Sequence, residues 1–195
     1  MKDKRTLIFE ATLELISLGM KDSELTISAI AKKAGIGKGT VYEYFSSKAE
    51  LLIEAVNYFV DIATRILSDV VSSGSFREQL KSFLKQVLTI INENEPLFNY
   101  LFLNQDFLKI EFERIGFSKD RDRKLIRLML QIIAQGQSEK ILREDITQRD
   151  VLLTFISITA VMNFTRKCNR LPEELTLSNE ELFEYCINMF VKILC

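Results

Sequence analysis

Apolar side chains recur every three to four residues along almost the whole of this 195-residue chain. Glycine and proline, the residues that most often interrupt helices, number only seven and two. A repeat of three to four residues places apolar side chains on one side of an α-helix. Ser-x-x-Glu sequences at 47–50, 75–78 and 178–181 are typical of helix starts. The pattern therefore predicts an all-α fold of about nine helices in one or two domains.

The charge of the chain is unevenly distributed. The net charge is −1, but residues 26–48 carry four lysines and one glutamate, a local charge of +3. A basic segment on an acidic remainder is typical of a nucleic-acid-binding module. Lysines on a solvated helix face would give the same charge, so charge alone leaves both interpretations open. Near the N-terminus, Lys2, Lys4 and Arg5 form either a basic arm or a frayed, charged end.

Several kinds of chemistry lack the residues that they need. The chain contains no histidine, no closely spaced pair of cysteines and no glycine-rich phosphate loop. This excludes Ser–His and Cys–His nucleophile pairs, and we expect neither an enzyme nor a metal or cofactor. The three cysteines lie in apolar, helical surroundings, and no apolar run is long enough to cross a membrane. These features predict a cytoplasmic protein with reduced, buried thiols and no signal peptide.

Residues 26–48 have the pattern of short helices joined by a tight turn. Thr26 is a residue type that caps helix N-termini, and apolar residues follow it at helical spacing. Gly35 can adopt the left-handed conformation that ends a helix, and the next helix begins at Gly37 or Lys38. The pattern predicts a helix-turn-helix, in which the second helix enters the major groove of double-stranded DNA.

The same segment resembles the DNA-binding signature of the tetracycline-repressor (TetR) family of transcriptional regulators. The signature residues present here in the family's spacing are Thr26, Ile27, Ile30, Ala31, Ala34, Gly35, Ile36, Thr40, Val41, Tyr42, Phe45, Lys48 and Leu51. Gly37 departs from the family pattern, which usually has Ser or Thr there, and Tyr44 stands where His is most common. The resemblance implies an N-terminal three-helix DNA-binding domain, a C-terminal helical domain and a dimer formed by the last two helices.

The resemblance also indicates which residues contact DNA. At the start of the recognition helix, Lys38 is predicted to read guanine, and Gly39 to allow a close approach of the backbone. Gly37 caps this helix. The other predicted contacts, most of them to phosphate, come from Thr26, Thr40, Tyr42, Tyr44 and Lys48.

The C-terminal part of the chain predicts an oligomer. Residues 149–168 and 182–195 form two segments that are apolar on nearly every side. A helix of that kind must be covered on all sides. In a domain this small we expect the cover to come from a second copy, so both segments are predicted to form a homodimer interface. The alternative is that the two helices are central within one subunit.

The predicted division is a DNA-binding domain at residues 1–47 and an effector-binding and dimerisation domain at 48–195. Aromatic residues are concentrated in the second domain, and apolar cavities with a few polar groups are typical ligand sites. We therefore expect a small, largely apolar effector, aromatic or acyl in type. The candidate ligand-binding residues are Phe59, Tyr100, Asn104, Phe107, Phe155, Thr159 and Asn163. The alternative is that these aromatic residues belong to an ordinary core.

The sequence supports one leading function and one alternative. The first is a ligand-responsive transcriptional regulator, a repressor by resemblance, that binds a palindromic operator as a homodimer and is released by its effector. The alternative is an all-helical dimeric protein that binds a small molecule and in which the helix-turn-helix is only structural. Salt-dependent binding to DNA would separate the two.

Overall fold

The computed structural model describes residues 3–70, 74–103, 122–167 and 177–194. All regular secondary structure in these ranges is α-helical, which confirms the predicted fold class. The nine helices of the described ranges are α1 (Lys4–Ser17), α2 (Ile27–Ala34), α3 (Lys38–Tyr44), α4 (Lys48–Val70), α5 (Phe76–Glu93), α6 (Glu95–Leu103), α7 (Asp122–Ser138), α8 (Gln148–Lys167) and α9 (Asn179–Leu194).

The two ends of α2 are set by the residues that the sequence marks. The side-chain oxygen of Thr26 accepts a hydrogen bond from the Ala29 N–H at 3.1 Å, so Thr26 caps the helix. Gly35 has a φ of 70°, a left-handed conformation that strains residues with a Cβ, and α2 ends there. Both signals predicted for the helix-turn-helix are confirmed.

Capping boxes begin two of the later helices. At α9 the Ser178 N–H donates to the Glu181 carboxylate at 2.9 Å, and the Glu181 N–H donates to Ser178 Oγ at 3.3 Å. This is the reciprocal pair that the sequence predicts. At α8 the Thr147 N–H donates to the Asp150 carboxylate at 2.9 Å, and the Asp150 N–H donates to Thr147 Oγ1 at 3.2 Å. Aspartate takes the place of glutamate in this second box, which was not predicted.

The described residues group into two compact units, of which the first is drawn from residues 1–63 and 91–119. In this unit α1 packs against α2 and α6, and α2 packs against α3. Fully buried side chains at the centre of its core include Ile8, Ile30, Val41, Phe45 and Leu51. The helix-turn-helix is therefore built on the same core as α1 and the start of α4.

The second unit is drawn from residues 64–90 and 120–195. In it, α8 packs against both α7 and α9. A row of phenylalanine rings lies at its centre, with centroids 5.2 Å apart for Phe83 and Phe155 and 4.8 Å apart for Phe155 and Phe190. All three side chains are almost completely buried.

The predicted domain boundary falls directly before α4, which begins at Lys48. The two compact units divide the chain at other positions, because Leu97 of α6 is buried in the core that surrounds α1. The assignment of separate functions to residues 1–47 and 48–195 stays a prediction.

Candidate DNA-binding surface

The predicted recognition helix α3 has one buried and one exposed side. Val41 is fully buried, and Phe45, the residue after the helix, is 1% exposed, so these two side chains hold α3 on the core. On the other side Lys38 is exposed and the Tyr42 side chain is 50% exposed. The Lys38 Nζ lies 5.9 Å from the centroid of the Tyr42 ring, a contact that their spacing of four residues allows. A cation and a phenol thus face solvent side by side.

The two glycines at the start of α3 have space around them. A Cβ at Gly37 would lie 4.0 Å from Thr40 Oγ1, and a Cβ at Gly39 would meet no atom within 4 Å. Packing within the chain therefore requires glycine at neither position. At Gly39, which is exposed, the missing side chain leaves the backbone open to an approaching surface such as a DNA strand.

Three other predicted contacts lie close to these elements. Thr26 is exposed at the N-terminus of α2, where its hydroxyl can still donate a hydrogen bond to a phosphate oxygen. Thr40 is half-buried. Tyr44, at the last position of α3, is 39% exposed, and its ring centroid lies 6.3 Å from that of Phe45. These positions are compatible with contacts to DNA, and the contacts themselves stay predictions.

Lys48, the first residue of α4, already has partners within the protein. Its Nζ donates to the backbone oxygen of Asp22 at 2.6 Å and to Asp22 Oδ1 at 2.8 Å. The hydroxyl of Tyr100 on α6 donates to the same Oδ1 at 2.5 Å. The sequence analysis did not predict a role for Asp22 or its hydrogen bond with Tyr100. No local motif indicates this hydrogen bond, because 78 residues separate Asp22 from Tyr100.

Asp22 and Tyr100 also line an open cleft of about 560 Å³ between the segment after α1 and the start of α6. Its other lining residues are Ile16, Gly19, Met20, Lys21, Glu95, Pro96 and Asn99. The bond between the tyrosine hydroxyl and the carboxylate therefore lies at the surface of the first unit, outside its packed core.

Arg5 packs on the helical body and does not extend from it as part of a basic arm. Its guanidinium carbon lies 5.6 Å from the centroid of the Phe9 ring and 5.7 Å from that of Phe45. A guanidinium nitrogen is also 3.3 Å from the carboxylate of Glu54 on α4. Lys2 lies outside the described residues. Arg5 thus serves to join α1 to the end of α3 and to α4.

The segment that carries this surface is similar in sequence to a known family. Residues 8–55 match a family described as "Bacterial regulatory proteins, tetR family". Residues 8–55 therefore contain a TetR-type DNA-binding domain. The matched range includes all of α2 and α3 and the first residues of α4. It contains every residue of the predicted DNA-binding set.

Two relatives of known sequence come from Bacillus subtilis. The HTH-type transcriptional regulator YuxN is 34% identical over 114 residues, which cover 58% of this chain and 35% of that protein. The "Fatty acid metabolism regulator protein" is 29% identical over 120 residues, which cover 56% of this chain and 59% of that protein. The chain thus spans about a third of the first relative and about three fifths of the second.

The whole chain also has the fold of solved TetR-family structures. The crystal structure of a TetR transcription regulator from Haloarcula marismortui matches with a TM-score of 0.70 at 18% identity. The match covers 100% of this chain and 97% of that one. The family's combination of an N-terminal helix-turn-helix with further C-terminal helices is therefore present, and the matched proteins are regulators rather than enzymes.

The predicted ligand-binding residues are distributed over both units. Phe59, whose ring contacts Phe98 edge to face at 6.1 Å, and Tyr100 belong to the first unit. Phe155 is 1% exposed within the aromatic row of the second unit, where Thr159 donates its hydroxyl to the Phe155 carbonyl at 2.8 Å. Asn104 and Phe107 lie outside the described residues, and Asn163 lies in α8 without a described side chain. A ligand site that includes these residues stays a prediction.

The last two helices expose apolar side chains on one side each. On α8 these are Leu153, Ile156, Val161 and Phe164, which are 49–65% exposed. On α9 they are Tyr185, Met189 and Ile193, which are 38–56% exposed. Their spacing of three to five residues places each set along one stripe of its helix. Among the described helices, none is long and apolar enough to span a membrane.

Proposed function

We propose that this protein is a homodimeric transcriptional repressor of the TetR family that binds a palindromic operator and is released by a small, apolar effector. The observation that carries the proposal is the exposed side of α3, where Lys38, Gly39 and Tyr42 face solvent within the matched domain. We assign DNA binding to residues 1–47 and effector binding with dimerisation to residues 48–195. Such a regulator acts in the cytoplasm, where it meets its operator.

DNA binding is tested by removing groups that α3 exposes. Lys38→Ala should weaken binding to DNA from upstream of the chain's own gene by about 1–3 kcal/mol if Lys38 reads a base pair. Tyr42→Phe removes only the hydroxyl and should also weaken binding, by loss of a phosphate contact. Lys124→Ala is the matched control, since Lys124 is an exposed lysine on α7 in the other unit.

Fluorescence anisotropy at several salt concentrations measures these affinities. The wild type and the Lys124 variant should bind equally, with affinity that falls steeply as salt rises. If neither α3 variant differs from the wild type, the helix-turn-helix is only structural, and the alternative of a helical small-molecule-binding protein takes its place.

Dimerisation is supported by the apolar stripes of α8 and α9. Two helices from each subunit would form a four-helix bundle about a two-fold axis and cover these side chains. Within these two helices, Ile158 and Phe190 are only 3% and 0% exposed in one subunit, so substitutions there do not test the interface. They belong to the subunit's own core, because they lie on the sides of α8 and α9 that face the rest of the unit. Ile156 and Tyr185 are the suitable positions instead.

An acyl-type effector is supported by the apolar, aromatic composition of the C-terminal helices and by one relative named for fatty acid metabolism. Fatty acids are therefore the first compounds to test. An effector should release the bound DNA and raise the thermal midpoint of the protein, because it binds the folded state. Aromatic acids of similar size form the comparison series.

A further inference from the structure

The ammonium group of Lys48, which is predicted to contact DNA, is bonded to Asp22 within the protein. The Lys48 Nζ donates to both the backbone oxygen and the Oδ1 of Asp22, at 2.6 and 2.8 Å. An ammonium group has three N–H donors, so these two bonds use most of its capacity. The side chains are 29% exposed for Lys48 and 53% exposed for Asp22. The pair can therefore be reached by a DNA strand.

We infer that Asp22 competes with DNA phosphate for Lys48, and that Tyr100 of α6 sets the strength of this competition. The inference rests on the proposed function, since it requires a chain that binds DNA. The two Asp22 oxygens satisfy the ammonium as phosphate oxygens would, and the carboxylate repels a phosphate that approaches the same nitrogen. To contact a phosphate, the Lys48 ammonium group must therefore give up its bonds to the negatively charged Asp22.

Tyr100 brings α6 into this arrangement. Its hydroxyl donates to the Asp22 Oδ1 that also accepts from Lys48, so it fixes the orientation of the carboxylate. Without the hydroxyl the carboxylate can rotate away, and its hold on Lys48 weakens. Tyr100→Phe removes the hydrogen bond to Asp22 and keeps the half-buried ring that packs against the core. The position of α6 is thereby linked to the charge available at the start of α4.

The test measures binding to a mixed-sequence DNA duplex over a series of salt concentrations. Phosphate contacts are independent of base sequence, so no operator is needed. Asp22→Asn removes the charge and should tighten binding about two- to fivefold, the range expected when an exposed ion pair is lost. It should also steepen the slope of log K against log salt concentration, by up to about 0.9 for one additional phosphate contact.

Three further substitutions, alone or combined with Asp22→Asn, make the result specific. Tyr100→Phe should tighten binding by a smaller factor, and should add nothing in the Asp22→Asn background, because both changes act on the same carboxylate. In a Lys48→Ala background, Asp22→Asn should give no gain. Glu24→Gln is the matched control: it removes an exposed carboxylate from the same loop, one that caps the Lys21 N–H and is not bonded to Lys48. It should leave the affinity and the salt slope unchanged.

The outcomes separate the inference from the function on which it rests. Wild-type protein that binds DNA, together with an Asp22→Asn variant of unchanged or weaker affinity, overturns the inference alone. An equal gain from Asp22→Asn without Lys48, or from Glu24→Gln, also overturns it, because net charge would then explain the effect. Wild-type protein that binds no DNA overturns the proposed function and the inference with it. Thermal unfolding of each variant establishes that a folded protein was measured.

Discussion

Ile156→Asp should convert the protein from a dimer to a folded monomer. Ile156 lies on α8 and is 59% exposed in a single subunit, between the similarly exposed Leu153 and Val161. A substitution at an exposed position normally changes the stability of the subunit by no more than about 0.5 kcal/mol. In a dimer that covers this stripe, the same substitution places a carboxylate among apolar side chains.

The size of the effect follows from the exposed fraction. Burying a whole isoleucine side chain contributes about 1.5–3 kcal/mol, so covering 59% of Ile156 contributes about 1–2 kcal/mol. Two-fold symmetry repeats the contact in the partner, which gives about 2–4 kcal/mol per dimer. The dissociation constant of the dimer should therefore rise by about 30-fold to 1,000-fold, and desolvation of the carboxylate adds to this.

Sedimentation velocity across micromolar concentrations measures the change. Ile66→Asp is the matched control, because Ile66 on α4 is also exposed, at 41%, but lies outside α8 and α9. The wild type and the Ile66 variant should sediment as dimers and the Ile156 variant as a monomer. A monomeric wild type, or a variant at Ile156 that dimerises as tightly as the wild type, would refute the assignment of this interface.

Three other substitutions test separate parts of the structure. Gly39→Ala should raise the free energy of unfolding by about 0.5–1 kcal/mol, because alanine favours the helix and the added Cβ meets no atom within 4 Å. The same substitution should weaken DNA binding in the anisotropy assay. Unchanged binding would contradict a close approach of the backbone to DNA. Phe155→Ala should lower the free energy of unfolding in urea by about 3–5 kcal/mol if Phe155 is core, whereas a loss below about 1 kcal/mol would favour a cavity there. Hydrogen bonds from the Ser75 hydroxyl and N–H lower the pKa of Glu78 from its ordinary value of 4.5. Ionised Glu78 therefore stabilises the folded state above pH 4.5, and this stabilisation is lost as the pH falls through the lowered pKa. In urea denaturation, the Glu78→Gln variant should not show this loss of stability at low pH. A pH profile identical to that of the wild type would contradict the assigned role of Glu78.

Local signals predicted the helix ends well, because each depends on a few neighbouring residues. Thr26 and Gly35 set the limits of α2 through one side-chain hydrogen bond and one left-handed φ, both independent of the rest of the fold. At the start of α4, the predicted capping box differs from the structure in one hydrogen-bond partner. Ser47 Oγ accepts from the Glu50 N–H as predicted, but the Glu50 carboxylate bonds to Ser46, one residue earlier than in a standard capping box.

The sequence analysis could not predict contacts between residues that are far apart in the chain. The segments now seen as α8 and α9 are apolar on several sides, and periodicity alone did not show that Ile158 faces the core while Ile156 faces solvent. The contact of Tyr100 with Asp22 depends on how α6 packs beside α1, which no local pattern contains. For the same reason the predicted phosphate contact of Lys48 had no visible competitor until the fold was known.

The recognition helix also shows why loss of DNA binding in a variant does not by itself identify a contact residue. α3 has only seven residues and includes Gly39, so it is far shorter than a helix that is stable by itself in water. Its conformation depends on the burial of Val41 and Phe45 in the first core. Substitutions at these two positions would abolish DNA binding by unfolding α3, although neither side chain can reach DNA. Only the exposed positions, Lys38 and Tyr42 above all, report on recognition itself, because there the affinity can change while the free energy of unfolding does not.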